Sequence, residues 1–455
     1  MPATPARITR RELLKWASAG AGAAAVGVGT YAAGRSGTPS ASGVLAAASD
    51  PTMAPASAGQ RPRSPDGSVA VTPTAPSPIA PVQSPVDVGQ RLLVVVEMAG
   101  GNDGMSMLAP YGQGAYYDLR RSTAIAATDV LALDDEVGLH PALTRLHGRG
   151  AAIVQGVGSF DSDGSHFEML ARWWAGAPSA GGIRDTGFLG RLADVIGDPA
   201  APAVALSVGS GATPAIASRS ASTVAIPGAD AAGYLAGAGD DDPFRRLFQE
   251  GFAAFGTGAS MFELEARIRG LKTQSAAFAS VLDGLAGEEG DGGYPSSDLG
   301  QGLRLAAQLF AGEQGVRIVH VPMHRDFDTH DDHNGRYPAL MDDLDTSLNA
   351  FLDDLAARGL SERVLVMTTS EFGRTARDND SGGLDHGTAS NALLVGPVNA
   401  GRFGEHPSLT DLDDNGNLRA TVGLDQYYAT VAEGWFGVSA SEVLDTGATA
   451  IPGIF

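Results

Sequence analysis

A short β-branched run, Val316-Arg317-Ile318-Val319-His320-Val321, delivers the chain into Met323-His324-Arg325-Asp326-Phe327-Asp328-Thr329-His330-Asp331-Asp332-His333. The run reads as a buried strand. Three of the chain's 9 histidines, interleaved with four aspartates, therefore follow the carboxyl end of a strand. Open α/β sheets place their ligands at such ends. Carboxylate and imidazole are hard-to-borderline donors, suited first to zinc and also to manganese or calcium. The alternative is a solvated acidic loop.

The same layout recurs along the chain. Residues 91–98 form a continuous apolar strand, as in a buried parallel sheet, and run into Ala99-Gly100-Gly101-Asn102-Asp103-Gly104. Residues 151–157 form a strand that leads to Ser165-His166-Phe167-Glu168, a helix start capped by Asp163 or Ser165. Ser165 thus has two readings, an N-cap or a nucleophile at a helix amino terminus. Residues 363–369 form a strand ending in Ser370-Glu371-Phe372-Gly373-Arg374. Strands are also expected at 203–208 and 391–395. Helical spacing marks 140–147, 187–196, 242–255, 261–285, 297–310, 338–358 and 425–436. The expectation is an α/β fold with a largely parallel central sheet flanked by helices and a helical insertion over about 240–312. Asp411-Leu412-Asp413-Asp414-Asn415-Gly416-Asn417 has the spacing of half an EF-hand loop. Val422 stands where the bidentate carboxylate belongs, so a surface turn is the rival reading.

The first residues read as address and tether. Thr9-Arg10-Arg11-Glu12-Leu13-Leu14-Lys15 resembles a twin-arginine export signal, followed by an uncharged, Ala- and Gly-rich run over 16–34. Ala46-Ala47-Ala48 offers a cleavage site, with an uncut membrane anchor as the alternative. This gives a signal at 1–48, a disordered Pro/Ser/Ala-rich linker at 49–88 and one domain at 89–455. The expected destination is the periplasm, cell envelope or exterior, with the twin-arginine translocase as partner during export. With 0 cysteines, thiolate metal sites are excluded. A net charge of −21 disfavours nucleic acid and anionic membranes. A bound cation would still admit an anionic substrate.

Five motifs occur in order: Gly100-Gly101-Asn102-Asp103-Gly104, Ser165-His166-Phe167, Phe327-Asp328-Thr329-His330, Ser370-Glu371-Phe372-Gly373-Arg374-Thr375 and Asp385-His386-Gly387. Together they resemble the exported bacterial family called domain of unknown function 1501 (DUF1501), from about Arg91 onward. That family is similar to the alkaline-phosphatase and sulfatase superfamily. The resemblance implies a metal-dependent hydrolase of a small-molecule or envelope-derived anionic ester, phosphate or related. It implies Asp103 as the ligand after the first strand and Ser165 as the nucleophile. His330 would be a ligand with Asp326 or Asp328, Glu371 would replace a later aspartate, and Asp385-His386 would supply the last histidine. Arg374 would clamp an anionic oxygen or form a structural ion pair. Two departures stand out. Phe372 occupies the place of a frequent histidine ligand, and Ser165 lacks the surroundings that sulfatases convert to formylglycine. The alternative function is a non-catalytic envelope binding or assembly protein on the same fold.

Overall fold

The residues of the first strand, Leu92–Met98, are all buried, and they divide by parity. Leu92, Val94, Val96 and Met98 join an apolar layer with Leu303, Phe310, Leu344 and Phe351. Leu93 and Val95 join the opposite layer with Leu189, Leu192, Tyr427 and Trp435. Successive strand side chains point to opposite faces, so an apolar run without alternation requires cover on both. This computed structural model describes residues 87–179, 185–209, 213–226, 274, 277–282, 284–285, 292–323 and 327–455. The expected signal, almost all of the linker, the 242–255 helix, most of the 261–285 helix and Asp326 lie outside them.

The strands are β1 (Leu92–Met98), β2 (Leu108–Ala109), β3 (Leu131–Ala132), β4 (Gly138–Leu139), β5 (Ala152–Gly158), β6 (Ala205–Val208), β7 (Thr223–Ile226), β8 (Ile318–Met323), β9 (Val364–Thr369), β10 (Ser390–Val395), β11 (Gly401–Phe403) and β12 (Val422–Gly423). The helices are α1 (Gly104–Met107), α2 (Gly114–Leu119), α3 (Thr144–Arg149), α4 (His166–Ala175), α5 (Phe188–Ile196), α6 (Asp298–Ala311), α7 (His333–Ala357), α8 (Leu424–Thr430) and α9 (Ala440–Val443). The large sheet has the order β11-β5-β10-β9-β1-β8-β6-β7, with β12 also on β5. Its pairings are parallel except for β10, which is antiparallel to both β5 and β9. The protein is thus an α/β fold with a mixed, mostly parallel sheet. α6 and α7 cover one face, and α4, α5 and α8 the other. A small sheet, β2-β4-β3, stands apart.

Two helices start elsewhere than their spacing predicts. The helix expected at 140–147 begins at Thr144, because Asp345 of α7 accepts the Leu146 and Arg145 amides at 2.8 and 3.1 Å. That cap comes from a distant element, so local spacing does not reveal it. The helix expected from Pro338 begins at His333 and carries the proline inside. The 411–417 segment is a turn in which Asp413 Oδ1 accepts the Asn415 and Asn417 amides. Among the described residues no helix is long and apolar enough to cross a membrane.

Candidate metal centre

β1, β8 and β9 pair in parallel, with Met98 opposite Met323 and Glu97 opposite Thr369. β5 runs the same way, beyond the antiparallel β10. Their carboxyl ends therefore share one edge. Gly100 follows β1 at φ +112°, and a Cβ there would lie 2.5 Å from the Asp328 amide nitrogen. Only glycine combines that backbone with so close an approach. The Gly100 amide donates to Glu371 Oε1 at 2.8 Å, joining the loops after β1 and β9.

Around Asp328 three imidazoles converge. Asp328 Oδ1 lies 3.1 Å from His386 Nε2, 3.1 Å from His330 Nε2 and 3.7 Å from His166 Nε2. His386 Nε2 is 3.0 Å from His166 Nε2 and 2.9 Å from His330 Nε2. His166, Asp328 and His386 alone bring three ligand atoms within 4.8 Å of one another, all half-buried.

The far side of each ring is held. His386 Nδ1 donates to the Gly164 carbonyl at 2.7 Å, His330 Nδ1 to Asp385 Oδ1 at 2.9 Å, and His166 Nδ1 to Glu371 Oε1 at 2.8 Å. Carbonyl and carboxylate oxygens only accept, so these bonds place the protons on Nδ1. The three Nε2 atoms then turn lone pairs toward one another and toward a carboxylate oxygen. Such a group is stable only with a cation among its members. The hydrogen bond that His166 donates to Glu371 raises the His166 pKa above its ordinary value. Burial pushes the Asp328 carboxyl up, but its bond to Arg374 and that residue's charge outweigh this and hold it below the usual range.

Arg374 is wholly buried and fully engaged. Its Nε donates to the Gly101 carbonyl at 2.9 Å and its Nη1 to Leu384 at 3.1 Å. Its Nη2 meets the carbonyls of Gly100 and Phe327 and, at 2.5 Å, Asp328 Oδ1. All of these contacts lie within the fold, the arrangement of the structural ion pair that the sequence offered as one of two readings. Phe372, also buried, packs against His166 and His386 with ring centroids 4.8 and 4.7 Å away.

The sequence-predicted residues divide accordingly. Asp328, His330 and His386 meet at the centre. Glu371 and Asp385 stand one layer back, each holding a ring in place. Ser165 is the N-cap of α4, its Oγ accepting the Glu168 amide at 3.5 Å. Asp103 is drawn elsewhere: both carboxylate oxygens accept from Arg120 at 2.8 Å, and the pair is buried. Burial alone would raise the Asp103 pKa, but Arg120 holds it well below the carboxylate range. His166 was missed as a member of this cluster. Its motif was legible, but the reading fell on the serine that caps the helix and not on the next residue. Also missed was the buried support, where Thr329 Oγ1 bonds His333 Nδ1 at 2.8 Å and His333 Nε2 bonds Ser106 Oγ at 3.0 Å.

The family model described as "Protein of unknown function (DUF1501)" matches residues 260–442. The matching family is DUF1501. The matched segment holds Asp328, His330, Glu371, Arg374, Asp385 and His386, while His166 precedes it. No curated protein matches the chain. Among solved structures, Ps i-CgsB, in complex with k-i-k-neocarrahexaose, is 12% identical, with a TM-score of 0.39 over 79% of this chain and 75% of that one. The lipoteichoic acid synthase LtaP from Listeria monocytogenes is 10% identical, with a TM-score of 0.36 over 82% and 78%. An alkaline phosphatase from the Antarctic bacterium TAB5 is 11% identical, with a TM-score of 0.31 over 76% and 99%.

Proposed function

We propose that this chain is an exported, metal-dependent ester hydrolase whose ion is held by His166, His330 and His386 through Nε2 and by Asp328 through Oδ1. One observation carries the reading: three imidazoles donate their Nδ1 protons outward, so four lone-pair donors converge on one point. Imidazoles backed by a carboxylate or carbonyl are the usual surroundings of a bound metal. Three nitrogens and one oxygen suit zinc or manganese better than calcium, which takes six to eight oxygens.

A bound divalent ion would supply a Lewis acid toward the ester oxygen. The chain's own residues do the rest. Glu371, Asp385 and the Gly164 carbonyl fix each ring's tautomer and direction. Arg374 balances Asp328 and pins the backbone at Gly100, Gly101, Phe327 and Leu384. Phe372 keeps water from one side of two rings. Ser165 is engaged as a cap, so water is the attacking group in this reading.

The test is elemental analysis of mature protein purified without chelators, with turnover of an aryl ester measured alongside. Wild type should hold metal and hydrolyse the ester, and His386→Ala should lose both. Wild-type protein free of metal would overturn the proposal. A second reading, a non-catalytic envelope binding or assembly protein, is favoured by the engagement of both Ser165 and Arg374 within the fold. Metal-loaded protein inert toward every ester would support it. Export rests on Arg10 and Arg11, and a doubly Lys-substituted precursor that still appears outside the cytoplasm would remove that part.

A further inference from the structure

We propose that Asp103 and Arg120 act on the metal centre from a distance, as positioning residues. A buried chain of hydrogen bonds through Ser106, His333 and Thr329 sets the segment that carries Asp328 and His330. The inference rests on the metal-centre reading, and it gives Asp103 a role other than the ligand role that the resemblance implies.

The chain has one direction. Arg120 holds both carboxylate oxygens of Asp103 at 2.8 Å with a planar fork. The Ser106 hydroxyl also bonds that carboxylate, which only accepts, so Ser106 is the donor. Lone pairs remain on Ser106 Oγ, and His333 Nε2 lies 3.0 Å from it and 3.6 Å from Asp103 Oδ2. The ring proton therefore belongs on Nε2, facing a hydroxyl oxygen and a carboxylate. Nδ1 is left bare and accepts the Thr329 hydroxyl at 2.8 Å. Tyr337 stacks on the His333 ring with centroids 4.6 Å apart, and its own hydroxyl donates to Asn102 Oδ1 at 2.7 Å. Arg120, Asp103, Ser106, His333 and Thr329 are all buried. In such surroundings hydrogen bonds polarise one another, and a missing partner is costly.

The last member of the chain stands where the centre needs support. Thr329 is wholly buried. It lies between Asp328 and His330, whose side chains are 30% and 43% exposed. The Thr329 carbonyl accepts the Leu384 amide at 3.0 Å, one residue ahead of Asp385 and two ahead of His386. Thr329 thus ties the Asp328–His330 segment to the start of α7 through its side chain, and to the loop that carries His386 through its backbone. Arg120 braces that same loop, donating to the carbonyls of Ala376 and Thr375 at 2.8 and 2.9 Å. Between His330 and His333 the chain turns sharply, with Asp332 in the left-handed region at φ +43° and ψ +43°. A residue other than glycine is held there by its surroundings, and the Thr329–His333 bond spans the turn. A ligand set has to be kept within about 0.5 Å of its working geometry by the groups behind it. Half-exposed ligands on a loop receive that support from the buried side, through Thr329.

The experiment compares wild type with three variants. Thr329→Val keeps the shape of the side chain without its hydroxyl, Thr329→Ser keeps the hydroxyl, and Ser106→Ala cuts the chain on the far side of His333. Zinc affinity is read by competition with a chromophoric chelator. Coordination geometry is read from the visible absorption of cobalt(II)-substituted protein, and the Tm of metal-free protein is recorded alongside. Thr329→Val should weaken zinc binding about 10–100-fold and shift the cobalt bands, and Thr329→Ser should restore both. Ser106→Ala should move both in the same direction. The double variant with Thr329→Val should bind no more weakly than Thr329→Val alone, because both cuts break one chain. A network that only stabilises the fold would lower Tm and leave zinc affinity and the cobalt spectrum as in wild type. That result in Thr329→Val, or in Ser106→Ala should Thr329→Val not fold, would overturn this inference and leave the metal centre standing. Wild-type protein that takes up neither zinc nor cobalt would overturn both.

Discussion

His386 Nδ1 donates to the carbonyl oxygen of Gly164 at 2.7 Å, joining positions 222 residues apart. The bond fixes where the ring's proton sits. It also fastens the loop between β9 and β10 to the segment that opens α4, so two of the clustered histidines are tied together by one contact. His166 follows Gly164 by two residues and presents its own Nε2 to the same point.

The residues one layer behind the rings should govern metal affinity without touching metal. Glu371→Gln and Asp385→Asn should each weaken binding about 10–100-fold. His166→Ala and His386→Ala should weaken it more. Competition with a chromophoric chelator measures this. Equal affinity in Glu371→Gln and wild type would show that the His166–Glu371 bond does not support the ligand.

Arg120 and Asp103 form a buried ion pair, both about 1% exposed. Arg120→Ala leaves an unbalanced buried carboxylate and should cost about 3–5 kcal/mol. Replacing both partners together with apolar residues of similar size should recover most of that loss. Urea unfolding of the two variants decides whether the pair stabilises the fold or only avoids a penalty.

Gly100→Ala combines a positive φ with a clash against the Asp328 amide. Backbone strain of this kind costs about 1–3 kcal/mol. The substitution should lower Tm and also lower metal content, because relief of the clash moves Asp328. A lowered Tm with full metal content would mean that the ligand loop tolerates the shift.

Burial pushes the His140 and His333 pKa values down to about 4. In the unfolded chain both rings take up a proton near 6.5. Between these values the unfolded state binds more protons, so stability falls as pH drops from 6.5 toward 4. Above that window neither ring affects stability. Each contributes up to about 3 kcal/mol across the window. His140→Leu removes one of them, so its urea midpoint should depend less steeply on pH over this range. A slope equal to wild type would mean that His140 does not titrate on unfolding.

Much of this was legible in the sequence, because apolar runs ending in glycine, carboxylate or imidazole mark both a strand and its edge. The β1, β5, β8 and β9 ends were found this way, and with them Asp328 and His330, whereas His386, in the loop ahead of β10, came from the family resemblance. The strand at β10 was expected too, but not its antiparallel direction, since an apolar run carries no sign of which way it runs. Asp103 has the same local signature as a ligand, and only the fold reveals that Arg120 meets it first. His166 was overlooked for the converse reason. Helix-start rules point to the capping serine, and nothing local says that the next ring will turn toward residues 220 positions away.

Arg374 binds backbone that lies as far as 274 residues away, at Gly100, and also at Phe327 and Leu384. Contacts of such separation form after local structure, once loop-closure entropy has been overcome. A nascent chain still short of residue 374 therefore has histidines but no ordered set of donors. If the cluster holds an ion, as proposed, it would be captured only once the chain has been made past residue 386. Were the proposed export of folded protein and the proposed metal both correct, loading in the cytoplasm would be possible, and the metal in the mature protein would reflect the metals available there.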